Sequence, residues 1–141
     1  MNREQFVLAA MAPGGGYPHS PVQVQKLLFL LDRQIPGEVG GPHFRFEPYH
    51  YGPFDSAVYK VLEQLAARGL VLIDAASSPR TFALTAEGVT LGNHALATLS
   101  APAQDFIART SNFVRVHGFS SLVSAIYKAF PEMRVNSVFQ S

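Results

Sequence analysis

A helix with both ends marked, followed at once by two short apolar runs, fixes most of what this chain can fold into. Pro53 stands just upstream, Asp55 can accept a hydrogen bond from the free amides of the first turn, and Phe54 and Tyr59 are spaced to close a hydrophobic staple. The spacing predicts a helix from about Ser56 to Arg68. Val58, Val61, Leu62 and Leu65 form its buried stripe, with Ser56, Lys60, Glu63, Gln64 and Ala67 on the other side. Gly69 ends it as a left-handed C-cap. Leu70 to Ile73 and Thr81 to Leu84 then read as paired strands joined by the turn-forming Ala75-Ala76-Ser77-Ser78-Pro79. Helix, glycine and hairpin in that order make the second half of a winged helix.

Upstream, Asn2 to Met11 reads as a short helix with Phe6, Val7, Ala10 and Met11 on one side. Pro13-Gly14-Gly15-Gly16 breaks it. No Lys-Ser or Lys-Thr follows, so the glycines read as a linker rather than a phosphate loop. Ser20-Pro21-Val22-Gln23 opens a second helix with a cap, a proline at the first position and half of a capping box. Val24, Leu27, Leu28 and Leu31 form its core stripe, Gln25, Lys26 and Arg33 are expected to face outward, and Pro36-Gly37 ends it. From Ile35 to Phe54 the chain leaves helix for about twenty residues, where a compact helix-turn-helix needs about three or four. His43 to Phe46 can pair there as a strand, with Phe44 and Phe46 on one face.

After the hairpin, Thr85 caps a helix ending near Leu99, and Ser100-Ala101-Pro102 starts another. Phe106, Ile107, Phe113 and Val114 recur along it as an apolar seam. Gly118 interrupts, and Ser120 begins a last helix with Leu122, Val123, Ile126 and Phe130 inward until Pro131. Such a stripe serves equally to cover the core or to join two copies.

The expected architecture is therefore mainly α with a small β-hairpin wing: a winged helix-turn-helix with an inserted strand or loop and additional C-terminal helices. With 141 residues and 48% hydrophobic content the chain reads as one domain, residues 1–101 forming the core and 102–141 an extension for packing or dimerisation. There is no cysteine, which excludes disulfides, thiolate metal sites and cysteine nucleophiles. No apolar run approaches the roughly 20 residues of a membrane span. Glu4 cancels Arg3 where a signal peptide needs positive charge, so a cytoplasmic homodimer is expected.

The run Val24-Gln25-Lys26-Leu27-Leu28-Phe29-Leu30, then Phe46-Glu47-Pro48 leading into Tyr51-Gly52-Pro53-Phe54-Asp55, then Gly69-Leu70-Val71 and Leu84-Thr85-Ala86-Glu87-Gly88, resembles the YwgA-like family of small bacterial winged-helix proteins. The ending Ile126-Tyr127-Lys128-Ala129-Phe130-Pro131-Glu132 is similar to that family's tyrosine, proline and acid pattern. A more distant similarity is to the Panacea (SocA-like) antitoxin domain, in the leucine-rich helix and the Tyr-Gly-Pro approach to the next one. The resemblance implies a winged-helix fold and a regulatory or phage-defence setting, with no activity to carry over.

On the winged-helix reading, double-stranded DNA would meet Ser56, Lys60, Gln64 and Arg68 on the third helix and Ser77, Ser78 and Arg80 at the wing. Charge weakens that expectation. Residues 1–101 carry seven Lys and Arg against eight Asp and Glu, and phosphate neutralisation supplies most non-specific affinity. The alternative is a protein partner held by Tyr49, His50 and Tyr51, since aromatic residues dominate interface hot spots. His43, Glu47 and His50 make at most a weak metal site, no nucleophile motif accompanies the serines, and no cofactor fingerprint is present. The expected function is therefore non-enzymatic transcriptional regulation by DNA binding, with a partner-binding module of the antitoxin kind as the alternative.

Overall fold

The computed structural model describes residues 1–139. It is mainly helical, with two small antiparallel sheets. In chain order come α1 (Arg3–Met11), α2 (Pro21–Gln34), the single turn α3 (Pro36–Val39), strands β1 (Glu47–Tyr49) and β2 (Gly52–Phe54), and α4 (Ala57–Ala67). Then follow β3 (Val71–Asp74), β4 (Thr81–Leu84), α5 (Ala86–Ala97), α6 (Ala101–Val116) and α7 (Phe119–Ala129). Short 3-10 turns cover Ala12–Gly14 and Pro131–Arg134.

The helix starts follow their caps. Asn2 and Gln5 close a capping box on α1, Ser20 and Gln23 close one on α2, and Thr85 and Ser100 cap α5 and α6. At α4 the Asp55 carboxylate serves both sides, accepting the Ala57 amide at 2.9 Å and the Arg45 amide at 2.8 Å. Phe54 and Tyr59 pack with ring centroids 5.8 Å apart, as a staple requires. Val58, Val61, Leu62 and Leu65 are buried, and Gly69, at φ +75°, takes the left-handed conformation that releases the chain into β3. β3 and β4 pair from Val71 with Leu84 to Asp74 with Thr81.

Four expectations are corrected. First, α1 is buried from Phe6 through Met11, Leu8 and Ala9 included, because α5 packs closely on its further side. Gly88, Gly92 and Ala95 give α5 a face of small residues, and a Cβ at Gly92 would stand 2.5 Å from the Leu8 carbonyl oxygen. Second, Pro13 to Gly16 is an ordered turn under α6, with the Arg115 side chain laid across Gly14. Third, the strand lies at Glu47–Tyr49 instead of His43 to Phe46, and its partner β2 makes a hairpin that periodicity did not reveal. Phe44 and Phe46 pack on each other at 5.8 Å and join the core. Fourth, Gln25 and Lys26 are buried, 2% and 3% exposed, because that hairpin lies over them. Arg33 does face outward, covering Phe29 and Phe130 and meeting Glu132 at 3.4 Å.

The apolar seam of α6 is spent within the chain. Ile107 and Val114 are buried, Phe106 and Phe113 pack against the core, and α6 lies against α2. The last helix begins one residue earlier than expected, at Phe119, with Leu122, Val123 and Ile126 inward. No helix among the described residues is long and apolar enough to cross a membrane.

The α1–α5 contact generates a test. Gly92→Ala forces the two helices apart at a backbone atom that cannot swing away, so the denaturant midpoint should fall by the equivalent of roughly 1–3 kcal/mol. An unchanged midpoint would show that the helices are not this close in solution.

Candidate functional site

Two surfaces bear on function. On the exposed face of α4, Lys60, Gln64 and Arg68 follow one another at four-residue spacing beyond Ser56, and Ser77 and Ser78 are exposed in the β3–β4 turn. The charge on this surface is largely committed. Arg68 pairs with Glu4 of α1. Arg80 is half-buried, its guanidinium 5.2 Å over the Tyr59 ring and 5.0 Å over Phe82. Lys60 makes no ion pair among the described residues, but Glu63 is its neighbour on the helix, and Asp74 closes the turn by accepting the Ala76 and Ser77 amides. Lys60, Arg68 and Arg80 are thus set against Glu4, Glu63 and Asp74.

The second surface is a groove of about 640 Å³ above the first turns of α2. Its floor is Pro21, Val22, Gln25 and Lys26; Tyr49, Tyr51 and Phe54 of the β1–β2 hairpin form one wall; Tyr59 and Pro79 stand opposite; Phe119 closes an end. The hairpin is fastened down by α2 itself. The Gln25 side chain exchanges two hydrogen bonds with the Asp55 backbone, both 3.0 Å, and the Lys26 ammonium donates to the Pro53 carbonyl at 3.3 Å. Gly52 lets the chain pass over this amine: its φ is +102°, and a Cβ there would press on the Lys26 side chain at 3.3 Å and on Tyr127 at 3.4 Å. From the other side, Asn136 donates to the Pro48 carbonyl at 3.2 Å and the Val138 amide to that of His50 at 2.9 Å.

The expected partner residues Tyr49, His50 and Tyr51 stand together at the rim. Tyr49 stacks on His50 at 4.3 Å and on Phe54 at 4.8 Å, while Tyr51 meets Phe119 edge-on at 5.3 Å. Tyr49, Tyr51 and Phe119 are 48%, 43% and 45% exposed. His43 lies elsewhere, stacked on Phe6 at 4.7 Å with its Nε2 against the Val39 carbonyl. Sequence reasoning missed Lys26 and Phe119 as members of this site.

Two buried bases sit beneath these elements. Burial pushes Lys26 from 10.5 down to about 7. His19 is pushed from 6.5 to about 4, chiefly by burial, with the Arg115 charge adding to it and the Tyr17 carbonyl opposing. The His19 ring gives its Nδ1 proton to the Tyr17 carbonyl at 3.1 Å, and Nε2 has no partner. Its backbone exchanges both hydrogen bonds with Phe82 of β4, at 2.8 and 2.9 Å, which adds a one-residue third strand beside the β3–β4 hairpin.

No family model matches the chain, and no curated protein matches it either.

Both bases bind fewer protons folded than unfolded, His19 between pH 4 and 6.5 and Lys26 between 7 and 10.5, so stability should rise with pH in each window. Full development is worth on the order of 3 kcal/mol for His19 and on the order of 5 kcal/mol for Lys26. Denaturation followed from about pH 4 to about pH 9 should give this two-step rise, and Lys26→Met should flatten only the upper step. An upper slope that survives in Lys26→Met would show that it comes from groups other than Lys26.

Proposed function

We propose that this protein is a non-enzymatic winged-helix regulator that acts by holding a protein partner, as the resemblance to YwgA-like and Panacea antitoxin proteins suggests. Support for the winged helix is the order α1, the His19 strand contact, α2, α4 and the β3–β4 hairpin, with the third helix running into the wing through Gly69. The insertion occupies the connection between the second and third helices of that unit.

The observation that carries the partner reading is the exposure of Tyr49, Tyr51 and Phe119 round one groove. Rigid aromatic side chains offer large contact area at small entropic cost, and exposed together they favour a protein surface as occupant. DNA binding is the second reading, favoured by the unpaired Lys60 and the exposed Ser77 and Ser78. It is the weaker one, because three cations offset by three carboxylates supply little counterion release.

Capture from a lysate of the source cells separates the two. A discrete protein should be retained by the wild type and by Lys60→Ala/Arg80→Ala, and lost with Tyr51→Ala/Phe119→Ala, whose affinity should fall roughly 30-fold or more. DNA binding that weakens steeply with salt in fluorescence anisotropy, and disappears in Lys60→Ala/Arg80→Ala, would instead establish the DNA reading.

A further inference from the structure

Beneath the exposed aromatic rim, the floor of the groove has a chemistry that partner binding at the rim does not use. Lys26 is 3% exposed, and its ammonium has one acceptor, the Pro53 carbonyl at 3.3 Å. Two of its three N–H positions have no acceptor among the described residues. Among the described residues no Asp or Glu lines the groove. A buried amine without a counter-charge gives up its proton readily, and an anion entering from the groove would hold it in the charged form.

The surroundings restrict that anion further. Val22, Phe54, Tyr59, Pro79 and Phe119 offer apolar and aromatic surface, so the body of the ligand is apolar. The Gln25 amide is already spent on Asp55. One ammonium, with no second Lys or Arg among the described residues that line the groove, suits a singly charged carboxylate; a phosphate dianion needs more donors. A concave volume of about 640 Å³ lies within the range that small-molecule clefts occupy.

We propose that the groove is a binding site for a small organic carboxylate with an aromatic or aliphatic body, its carboxylate held by Lys26 and its body packed between Phe54, Tyr59 and Phe119. The rim tyrosines Tyr49 and Tyr51 line the same groove, so an occupant would lie beside the surface used for the partner. This goes beyond the partner reading and does not depend on it, because the ligand is measured on the free protein.

The experiment titrates the full chain with 4-phenylbutyrate, indole-3-acetate and decanoate by calorimetry and amide NMR, with 4-phenylbutanol as the uncharged counterpart. At least one acid should bind saturably, shifting the Tyr51 and Gly52 amides, and the alcohol should bind more weakly. Lys26→Met should weaken the acid roughly 10- to 100-fold, the range for a hydrogen bond to a charged group. Val22→Trp, which keeps the amine and fills the floor, should abolish binding while thermal unfolding shows both variants folded. Three outcomes overturn the proposal: no acid binds at millimolar concentration, the alcohol binds as well as its acid, or folded Lys26→Met binds unchanged. A peptide with a free C-terminal phenylalanine that outcompetes every small acid, and loses to them when amidated, would overturn it in favour of a protein chain end. Failure here with the partner still captured through Tyr51 and Phe119 removes the ligand and leaves the partner reading intact.

Discussion

Three buried polar side chains of α2 hold down the long crossing between the second and fourth helices. Asp32 accepts the amides of His43, at 2.7 and 2.8 Å, and of Phe44, at 2.8 Å; Lys26 reaches the Pro53 carbonyl, and Gln25 pairs twice with Asp55. The contacts fall at the two ends of the crossing, so the β1–β2 hairpin is positioned by side chains of a helix and only three residue pairs of its own. Leaving one such buried group unmatched costs about 1–3 kcal/mol, a large fraction of a net stability of about 5–15 kcal/mol. The groove wall, the exposed tyrosines and the C-terminal segment bound at Pro48 and His50 all take their places from this anchorage.

The elements whose ends carry local chemistry were legible in the sequence. Ser20-Pro21, Asp55, Gly69, Thr85 and Ser100 each satisfy or release backbone groups within a few residues, and the helices and the β3–β4 hairpin begin or end beside them. Legibility failed where burial is set by a distant segment. The single-stripe reading of α2 took Gln25 and Lys26 as solvent-facing, yet Leu27-Leu28-Phe29-Leu30-Leu31 is apolar all round the helix. Phe29 and Leu30 flank the side that Lys26 occupies, and that unbroken run was the available signal of a helix covered on both sides. The same logic applies to α1, whose Leu8 and Ala9 are buried by an α5 face made of small residues.

The candidate site was half legible for the same reason. Tyr49, His50 and Tyr51 stand out in any reading because aromatic residues crowd a short segment, and they do lie together at a rim. Phe119 joins them only because α7 returns past the hairpin, a tertiary fact with no local trace. Arg68 and Arg80 looked like available cations because Glu4 is remote in sequence and the Tyr59 ring carries no charge to mark it.

Lys26 ties these threads together as a residue that folding alone does not favour. A methionine would fill the same space without desolvating a charge, and the Pro53 carbonyl could be matched by a neutral donor. The α2 register set by Ser20 and Pro21 puts the amine under Gly52, whose φ of +102° favours glycine and where a Cβ would press on the Lys26 side chain at 3.3 Å. Local rules agree almost everywhere else in this fold, through caps, staple, left-handed glycine and small-residue helix contact. The exceptions are two buried bases, His19 with an unpartnered Nε2 and Lys26 beneath the aromatic groove, and of these only Lys26 lines a groove that a ligand could enter.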